Sequence, residues 1–198
     1  MSRKRDWAPF LLLLAAEFLS FGPFIHHRGF YADDWIFLHN RFSARGIWDA
    51  ALRLAQGGFW ARPVEILHYP LFYSLGLDHP LAAQALLLLL KVAEGWLLFK
   101  LLERLLGRRD LALWAALLAL VFPNRSATHL WFANSPQGVS LVLVLAAMLL
   151  HESWLRTRDK RRLAGGLACY LVALLNYESI AFAPLGLGAA LAAREAAS

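Results

Sequence analysis

The stretch WAPFLLLLAAEFLSFGPFI, residues 7–25, decides the fold of this chain. It contains one charged residue, Glu17, and its length is close to the ~20 residues that an α-helix needs to cross a bilayer. Glu17 and the lack of an Ala-x-Ala-like cleavage site argue against a signal peptide. We therefore predict that the chain begins with a retained membrane helix.

More apolar runs follow, and the composition agrees with them. Of 198 residues, 59% are hydrophobic and 17% are charged, which is more apolar than an ordinary soluble domain. The further runs are Leu81–Leu106, Leu111–Phe122, Val139–Trp154, Leu163–Leu175 and Ile180–Ala193. Leu111–Phe122 is short for a crossing. The sequence predicts an all-α, polytopic integral membrane protein, with residues 1–198 forming one transmembrane domain of about six helices.

The basic residues predict an orientation. With a cytoplasmic amino terminus, thirteen of the 20 Lys and Arg residues fall inside, six fall outside, and Lys91 lies within a crossing. Inner loops rich in Lys and Arg are typical of bacterial inner-membrane proteins, so we expect both termini in the cytoplasm. Topology explains the net charge of +6, and we predict no nucleic-acid partner. The lone Cys169 excludes a disulfide framework.

The segment 26–80 is too long for a simple connection. Within it, Ile47–Leu54 has the apolar spacing of a helix that lies in the headgroup plane. Arg62-Pro63 then opens a second short helix over Val64–Leu75, with proline in a favourable first-turn position. The outer segments 123–136 and 176–179 also carry polar side chains. We therefore predict interfacial helices in the first extracytoplasmic loop and a site that opens outward.

The doublet Asp33-Asp34, in GFYADDWI (residues 29–36), follows the first apolar run directly. Adjacent carboxylates resist ionising together, so such a pair can raise the pKa of one member, bind a cation or act as a base. The alternative is that Asp33 and Asp34 cap a helix over Trp35–Phe42. Oxygen ligands suit Mg²⁺ or Mn²⁺, so a divalent cation of this kind is the cofactor that the doublet predicts. The outer histidines match no zinc pattern.

Other polar residues are candidates for binding substrate. Arg62 presents its guanidinium to a phosphate or extends to lipid headgroups. Lys91 and Glu94 are spaced to pair on one helix face, and with Glu17 they either staple two helices together or grip a phosphate. Glu178 is a helix cap or a site residue. The candidate substrate-binding residues are Arg62, His68, Lys91, Arg125, His129 and Glu178.

The order of these motifs resembles a known family. The motifs are Tyr31–Trp35 (YADDW), Arg62-Pro63, Leu120–Pro123 followed by His129–Trp131, and Leu175–Ser179 (LNYES). In this order they resemble the amino-terminal half of polytopic glycosyltransferases of the GT-C fold, the relatives of protein mannosyltransferases and aminoarabinose transferases. The resemblance covers nearly the whole chain, although each motif is short.

The resemblance implies an activity in the cell envelope. Family members use a lipid-phosphate-linked sugar and keep an acidic motif in the first outer loop, where a carboxylate acts as base or metal ligand. Asp33 or Asp34 would then deprotonate the acceptor hydroxyl in an inverting transfer, with Arg62 and Lys91 near the departing phosphate. The family's lysine before the last glutamate is replaced here by Tyr177. The implied partners are membrane lipids and a polyprenyl-phosphate-linked sugar, with an unidentified acceptor.

The chain also departs from the family pattern. Family enzymes generally carry more membrane helices and often a carboxy-terminal outer domain. We therefore expect this chain to be the amino-terminal part of a longer enzyme. The alternative function is a non-catalytic membrane subunit or a transporter fragment, in which the doublet is structural and the intramembrane charges line a path.

Overall fold

The helices of this chain follow its apolar runs. A computed structural model describes residues 7–27, 29–122 and 129–196, and the regular structure within them is entirely helical, as the sequence predicted. The α-helices are α1 Ala8–Phe21, α2 Asp33–Ser43, α3 Ile47–Gln56, α4 Pro63–Phe72, α5 Pro80–Leu106, α6 Arg109–Val121, α7 Ser135–Thr157, α8 Lys160–Asn176 and α9 Ala183–Ala196. Helices satisfy the backbone polar groups of apolar segments internally, which explains this outcome.

Within the residues that the structure describes, two helical stretches are long and apolar enough to cross a membrane. They are Ala8–His27, which extends α1 by a 3₁₀ turn, and Phe132–Thr157, which contains α7. Each predicted apolar run forms a helix, but the arrangement with six crossings is not confirmed. The 13 residues of α6 illustrate the shortfall. At 1.5 Å per residue they extend ~20 Å, whereas the hydrocarbon core is ~30 Å thick.

Small residues set the distances between the long helices. A side chain at Gly95 of α5 would meet Leu120 of α6 at 3.4 Å and Leu13 of α1 at 3.6 Å. At Gly166 of α8 it would lie 3.0 Å from the ring of His151 on α7. Close approach at small residues is typical of helices packed in membranes. The central helix α5 thereby contacts α1, α6 and α7, and α7 packs against α8.

Helices α2, α3 and α4 form a layer with its own core at one end of the long helices. The rings of Phe37 and Tyr69 stack at 3.7 Å, and Asn40 Nδ2 donates to the carbonyl of Ala50 at 2.9 Å. Leu87 of α5 and Phe132 join this core and attach the layer to the long helices. The segment 26–80 is thus folded into helices, as predicted, and its interfacial placement stays a prediction. We call this end of the molecule the loop face.

The opposite end carries the turns 103–110 and 152–162, which we call the basic face. Arg104 Nη1 donates to Glu152 Oε2 at 3.1 Å and joins the end of α5 to the end of α7. Helix α5 ends at Gly107, whose φ of 66° lies in the left-handed region that favours glycine. Helix α7 has 23 residues, so the two faces lie about 34 Å apart along it.

Candidate functional site

Asp34, in the first turn of α2, joins two segments that are distant in sequence. Its Oδ2 accepts from the backbone N–H of Tyr31 at 2.9 Å, and its Oδ1 accepts from the backbone N–H of Ala133 at 2.6 Å. The residue is 0% exposed. Burial raises the pKa of Asp34 to about 6, because the charged form is desolvated, although both backbone bonds oppose that shift. Asp34 therefore holds the turn before α2 against the turn Phe132–Asn134.

Asp33 has different surroundings from its neighbour. Its side chain is exposed, whereas that of Asp34 is buried. Ala32, directly before the doublet, has φ 36° and ψ −105°, a backbone conformation that residues with a side chain rarely adopt. Neither carboxylate makes the side-chain hydrogen bond of an N-cap at the start of α2. The doublet thus consists of one buried carboxylate that holds a strained turn and one exposed carboxylate that the turn presents.

Arg62 lies immediately before α4, where Pro63 occupies the first helical turn. Its Nε and Nη2 donate to the two carboxylate oxygens of Glu178 at 2.7 and 2.6 Å, and its Nη1 donates to Glu65 Oε2 at 3.1 Å. The guanidinium also lies 4.6 Å from the ring centre of Tyr177. The bond from Arg62 lowers the pKa of Glu178. Arg62 therefore has one exposed acidic partner, Glu178, and one buried partner, Glu65.

Glu65 and Tyr69 complete a chain of hydrogen bonds. The Tyr69 hydroxyl donates to the carbonyl of Ala133 at 2.8 Å and lies 3.4 Å from Glu65 Oε1. Burial raises the pKa of Glu65 more than Arg62 lowers it. We call the connected set the loop-face network. Its members are Asp34, Ala133, Tyr69, Glu65, Arg62 and Glu178.

His68 lies behind this network and contacts the start of α7. Its Nε2 is 2.7 Å from Ser135 Oγ, and its ring stacks on Phe72 at 4.3 Å. Burial lowers the pKa of His68 to about 3, so the imidazole is neutral at neutral pH. Asn176 Nδ2 similarly donates to the carbonyl of Pro136 at 2.8 Å. These bonds fasten α4 and α8 to α7, and a role of His68 in binding substrate stays a prediction.

Lys91 and His129 lie outside the loop-face network. Lys91 Nζ donates to Glu94 Oε1 at 2.6 Å within α5, and His129 Nε2 lies 3.5 Å from Glu17 Oε2. All four residues, which we call the internal cluster, are buried. Lys91, Glu94 and His129 line a partly open cavity of about 90 Å³. The ion pair therefore joins residues of one helix, and Glu17 faces His129 instead of the pair.

Arg125 is the remaining predicted site residue, and Asp33-Asp34 is also the predicted metal site. Arg125 lies outside the described residues. In the described part of the chain, no group of three or more His, Cys, Asp or Glu side chains is arranged to hold a metal ion. Both oxygens of Asp34 already accept backbone N–H groups. The divalent cation stays a prediction.

An open apolar pocket of about 400 Å³ lies along α2, after the doublet in sequence. Its lining residues are Phe30, Trp35, Leu38, His39, Phe42, Asp78 and Pro80. Trp35 directly follows the doublet in α2, and its Nε1 donates to the carbonyl of Phe30 at 3.1 Å. The pocket therefore provides apolar surface on the helix that begins with the doublet.

Taken together, the loop face combines a proton acceptor, a guanidinium and an apolar pocket. Sequence reasoning named Asp33, Asp34, Arg62 and Glu178 but missed Glu65 and Tyr69. The available signal was an acidic residue one turn after Arg62 in an otherwise apolar helix. No protein-family model, no curated protein and no solved structure matches this chain.

Proposed function

We propose that the loop face is the active site of a membrane glycosyltransferase, which transfers a sugar from a polyprenyl-phosphate donor to an acceptor hydroxyl. One observation carries the proposal: four segments distant in sequence meet in one hydrogen-bonded network. They are the start of α2, the start of α4, and the turns that flank α7 and α8. This arrangement supports acid and base chemistry at one end of a stretch that is long and apolar enough to cross a membrane.

Asp33 is the proposed general base, because it is the exposed member of the doublet. The acceptor oxygen attacks the anomeric carbon and forms the new glycosidic bond, while its proton passes to the Asp33 carboxylate. The bond from the anomeric carbon to the donor phosphate breaks, and its electron pair leaves with the phosphate. Attack opposite to the leaving group inverts the configuration. Asp34 does not contact substrate in this scheme and positions Asp33 through the strained turn at Ala32.

Arg62 is the proposed partner of the departing phosphate. Glu178 is 61% exposed, and ion pairs with exposed members contribute only about 1 kcal/mol or less. A donor phosphate can therefore replace Glu178 on the two N–H groups that Glu178 now occupies. Glu65, which is buried, keeps the third N–H group and holds the guanidinium in place. Arg62 then stabilises the negative charge that develops on the leaving group.

The apolar pocket and the distribution of charge complete the proposal. The pocket at Phe30, Trp35 and Phe42 supplies the apolar surface that a prenyl chain needs, and it lies on the helix that carries the proposed base. The excess of cations at the basic face favours an orientation in which this face lies on the cytoplasmic side of a bacterial inner membrane. The loop face would then be extracytoplasmic, with about six helices forming the membrane domain.

The proposal is tested by transfer of labelled sugar from polyprenyl-phosphate donors in membranes that contain the chain. We expect Asp33→Asn to reduce transfer by about a hundredfold or more, as for loss of a general base. Asp34→Asn should reduce it less. Asp49→Asn is a matched control, because Asp49 lies in the same loop and pairs only with residues near it in sequence.

Two results would overturn the assignment. If Asp33→Asn transfers sugar as fast as Asp49→Asn at equal protein abundance, Asp33 is not the base. If the unmodified chain shows no transfer with any of several donors, the non-catalytic subunit or transporter fragment becomes the better explanation.

A further inference from the structure

The basic face holds more positive charge than its own acids can neutralise. In the described part of the chain, its eight cations, together with Lys100 just before it, meet four acids there. The cations are Lys100, Arg104, Arg108, Arg109, Arg156, Arg158, Lys160, Arg161 and Arg162, and the acids are Glu103, Asp110, Glu152 and Asp159. Excess charge of one sign at a surface favours a partner of the opposite sign.

Each of the four acids already has a partner. Glu152 is buried between Arg104 and Arg156. Glu103 pairs with Lys100, and Asp110 pairs with Arg108. Asp159 caps α8 by accepting from the backbone N–H of Arg161 at 3.0 Å, and it lies 3.5 Å from Arg162 Nε. In the described part of the chain, this leaves three exposed side chains in the turn from α7 to α8 without an acidic partner: Arg158, Lys160 and Arg161.

Folding does not explain why these three residues are basic. Arg158 ends α7 with φ 55° and ψ 20°, in the left-handed region that glycine adopts most readily. At the corresponding end of α5, this conformation is taken by Gly107. Lys160 and Arg161 lie in the first turn of α8, where the helix dipole disfavours positive charge. Cations therefore occupy this turn despite backbone strain at Arg158 and an unfavourable helix dipole at Lys160 and Arg161.

The position of the turn indicates what these cations meet. The membrane-length stretch Phe132–Thr157 ends directly before Arg158, so the turn would lie where this stretch leaves a bilayer. The guanidinium of Arg158 lies 5.6 Å from the ring centre of Trp154, and tryptophan is typical of the headgroup region. Leu155, in the last turn of α7, is 40% exposed. Lipid phosphates therefore lie at the level of these side chains.

We propose that the turn from α7 to α8 binds the phosphate headgroup of an anionic membrane lipid through Arg158, Lys160 and Arg161. Guanidinium groups bind phosphate through paired hydrogen bonds, and the lysine adds a mobile charge. Each basic residue near an anionic leaflet strengthens binding by about fivefold. The site lies about 34 Å along α7 from the loop face and does not depend on the proposed sugar transfer.

Titration of phosphatidylglycerol or phosphatidylcholine into the purified full chain in neutral detergent micelles tests this proposal. The readout is the apparent affinity from the rise in the unfolding temperature. We expect phosphatidylglycerol to bind more tightly, and Arg158→Gly to weaken its binding by about fivefold. Arg158→Gly also relieves the left-handed backbone, so its stability without lipid should equal or exceed that of the parent. This variant therefore separates lipid binding from folding.

A triple variant and a control sharpen the result. Arg158→Gly with Lys160→Gln and Arg161→Gln should weaken phosphatidylglycerol binding by about a hundredfold. Arg53→Gln, which removes an exposed cation from the loop face, should leave it unchanged. Equal affinity for the two lipids, or parental affinity in the triple variant, would overturn the proposal. Inorganic phosphate that competes as strongly as phosphatidylglycerol would also overturn it, because the site would then be one for free anions.

Discussion

The loop-face network and the internal cluster use the same kinds of residue in different surroundings. In the internal cluster Lys91 and Glu94 are closed off from solvent, and their bond joins neighbours on one helix. In the loop-face network Arg62 has a buried partner and an exposed partner, and the exposed one comes from 116 residues away. Only the second arrangement can exchange a partner for a ligand. The position of a charge relative to solvent, rather than its presence in an apolar chain, therefore indicates function.

The largest expected effect on the free energy of unfolding comes from breaking the ion pair of the internal cluster. Lys91→Met leaves Glu94 buried without its lysine, and removing one member of a buried ion pair costs about 3–5 kcal/mol. The double variant Lys91→Met, Glu94→Leu should recover most of that loss, because apolar residues replace a buried pair at little cost. Reversible unfolding in mixed micelles measures both. If Lys91→Met were as stable as the parent, the buried Glu94 would not need Lys91 as its partner.

A second effect concerns pH at the loop face. Because the pKa of Asp34 rises from 3.8 to about 6 on folding, the folded protein binds more protons there than the unfolded chain between these pH values. Its contribution to stability is therefore greatest below about pH 4 and falls by roughly 3 kcal/mol as the pH rises through 6.

Asp34→Asn removes this titration. The free energy of unfolding of the parent should fall relative to that of the variant as the pH rises from 4 to 7. Chemical unfolding at each pH provides the measurement, with Asp49→Asn as the control. A difference between parent and Asp34→Asn that stays constant with pH would contradict the prediction.

A matched pair of tyrosines tests the middle of the network. Tyr69→Phe removes the donor to Ala133 and should cost about 1–2 kcal/mol, because the carbonyl loses its partner in a partly buried site. The Tyr73 hydroxyl is buried and has no hydrogen-bond partner among the described residues. Tyr73→Phe should therefore be neutral or slightly stabilising in the same unfolding experiment. Equal losses in the two variants would mean that the bond to Ala133 contributes nothing.

The smallest effect on stability belongs to Glu178. Because its side chain is mostly exposed, Glu178→Gln should lower the free energy of unfolding by less than about 1 kcal/mol. Arg62→Gln should cost more, since it leaves Glu65 buried without its cation. The two variants, compared by the same unfolding experiment, rank the exposed and buried halves of the Arg62 contacts. A larger loss for Glu178→Gln would reverse that ranking.

Much of the fold could be predicted because apolar runs impose helices. Each of the six predicted runs is a helix, and Arg62-Pro63 marks the start of α4 because proline suits a first turn. The number of membrane crossings could not be predicted from the sequence. Apolar character alone does not separate a membrane-length helix such as α7 from a short packed helix such as α6.

Less of the site could be predicted, because its bonds depend on packing. Adjacent residues on a helix point about 100° apart, so one member of Asp33-Asp34 had to differ from the other, but the sequence could not say which was buried. Ala133 contributes through its backbone, which leaves no signal in the sequence. The spacing of Lys91 and Glu94 correctly predicted their bond, whereas the contact of Glu17 with His129 depends on helix rotation, which local spacing does not give.

Exchange of Glu178 for a donor phosphate on Arg62 is the central claim, and binding of polyprenyl phosphate to the purified chain tests it most directly. We predict that Glu178→Gln binds more tightly than the parent and that Arg62→Gln binds at least about tenfold more weakly, with Arg53→Gln unchanged. Equal binding by all four proteins, or weaker binding by Glu178→Gln, would contradict the account.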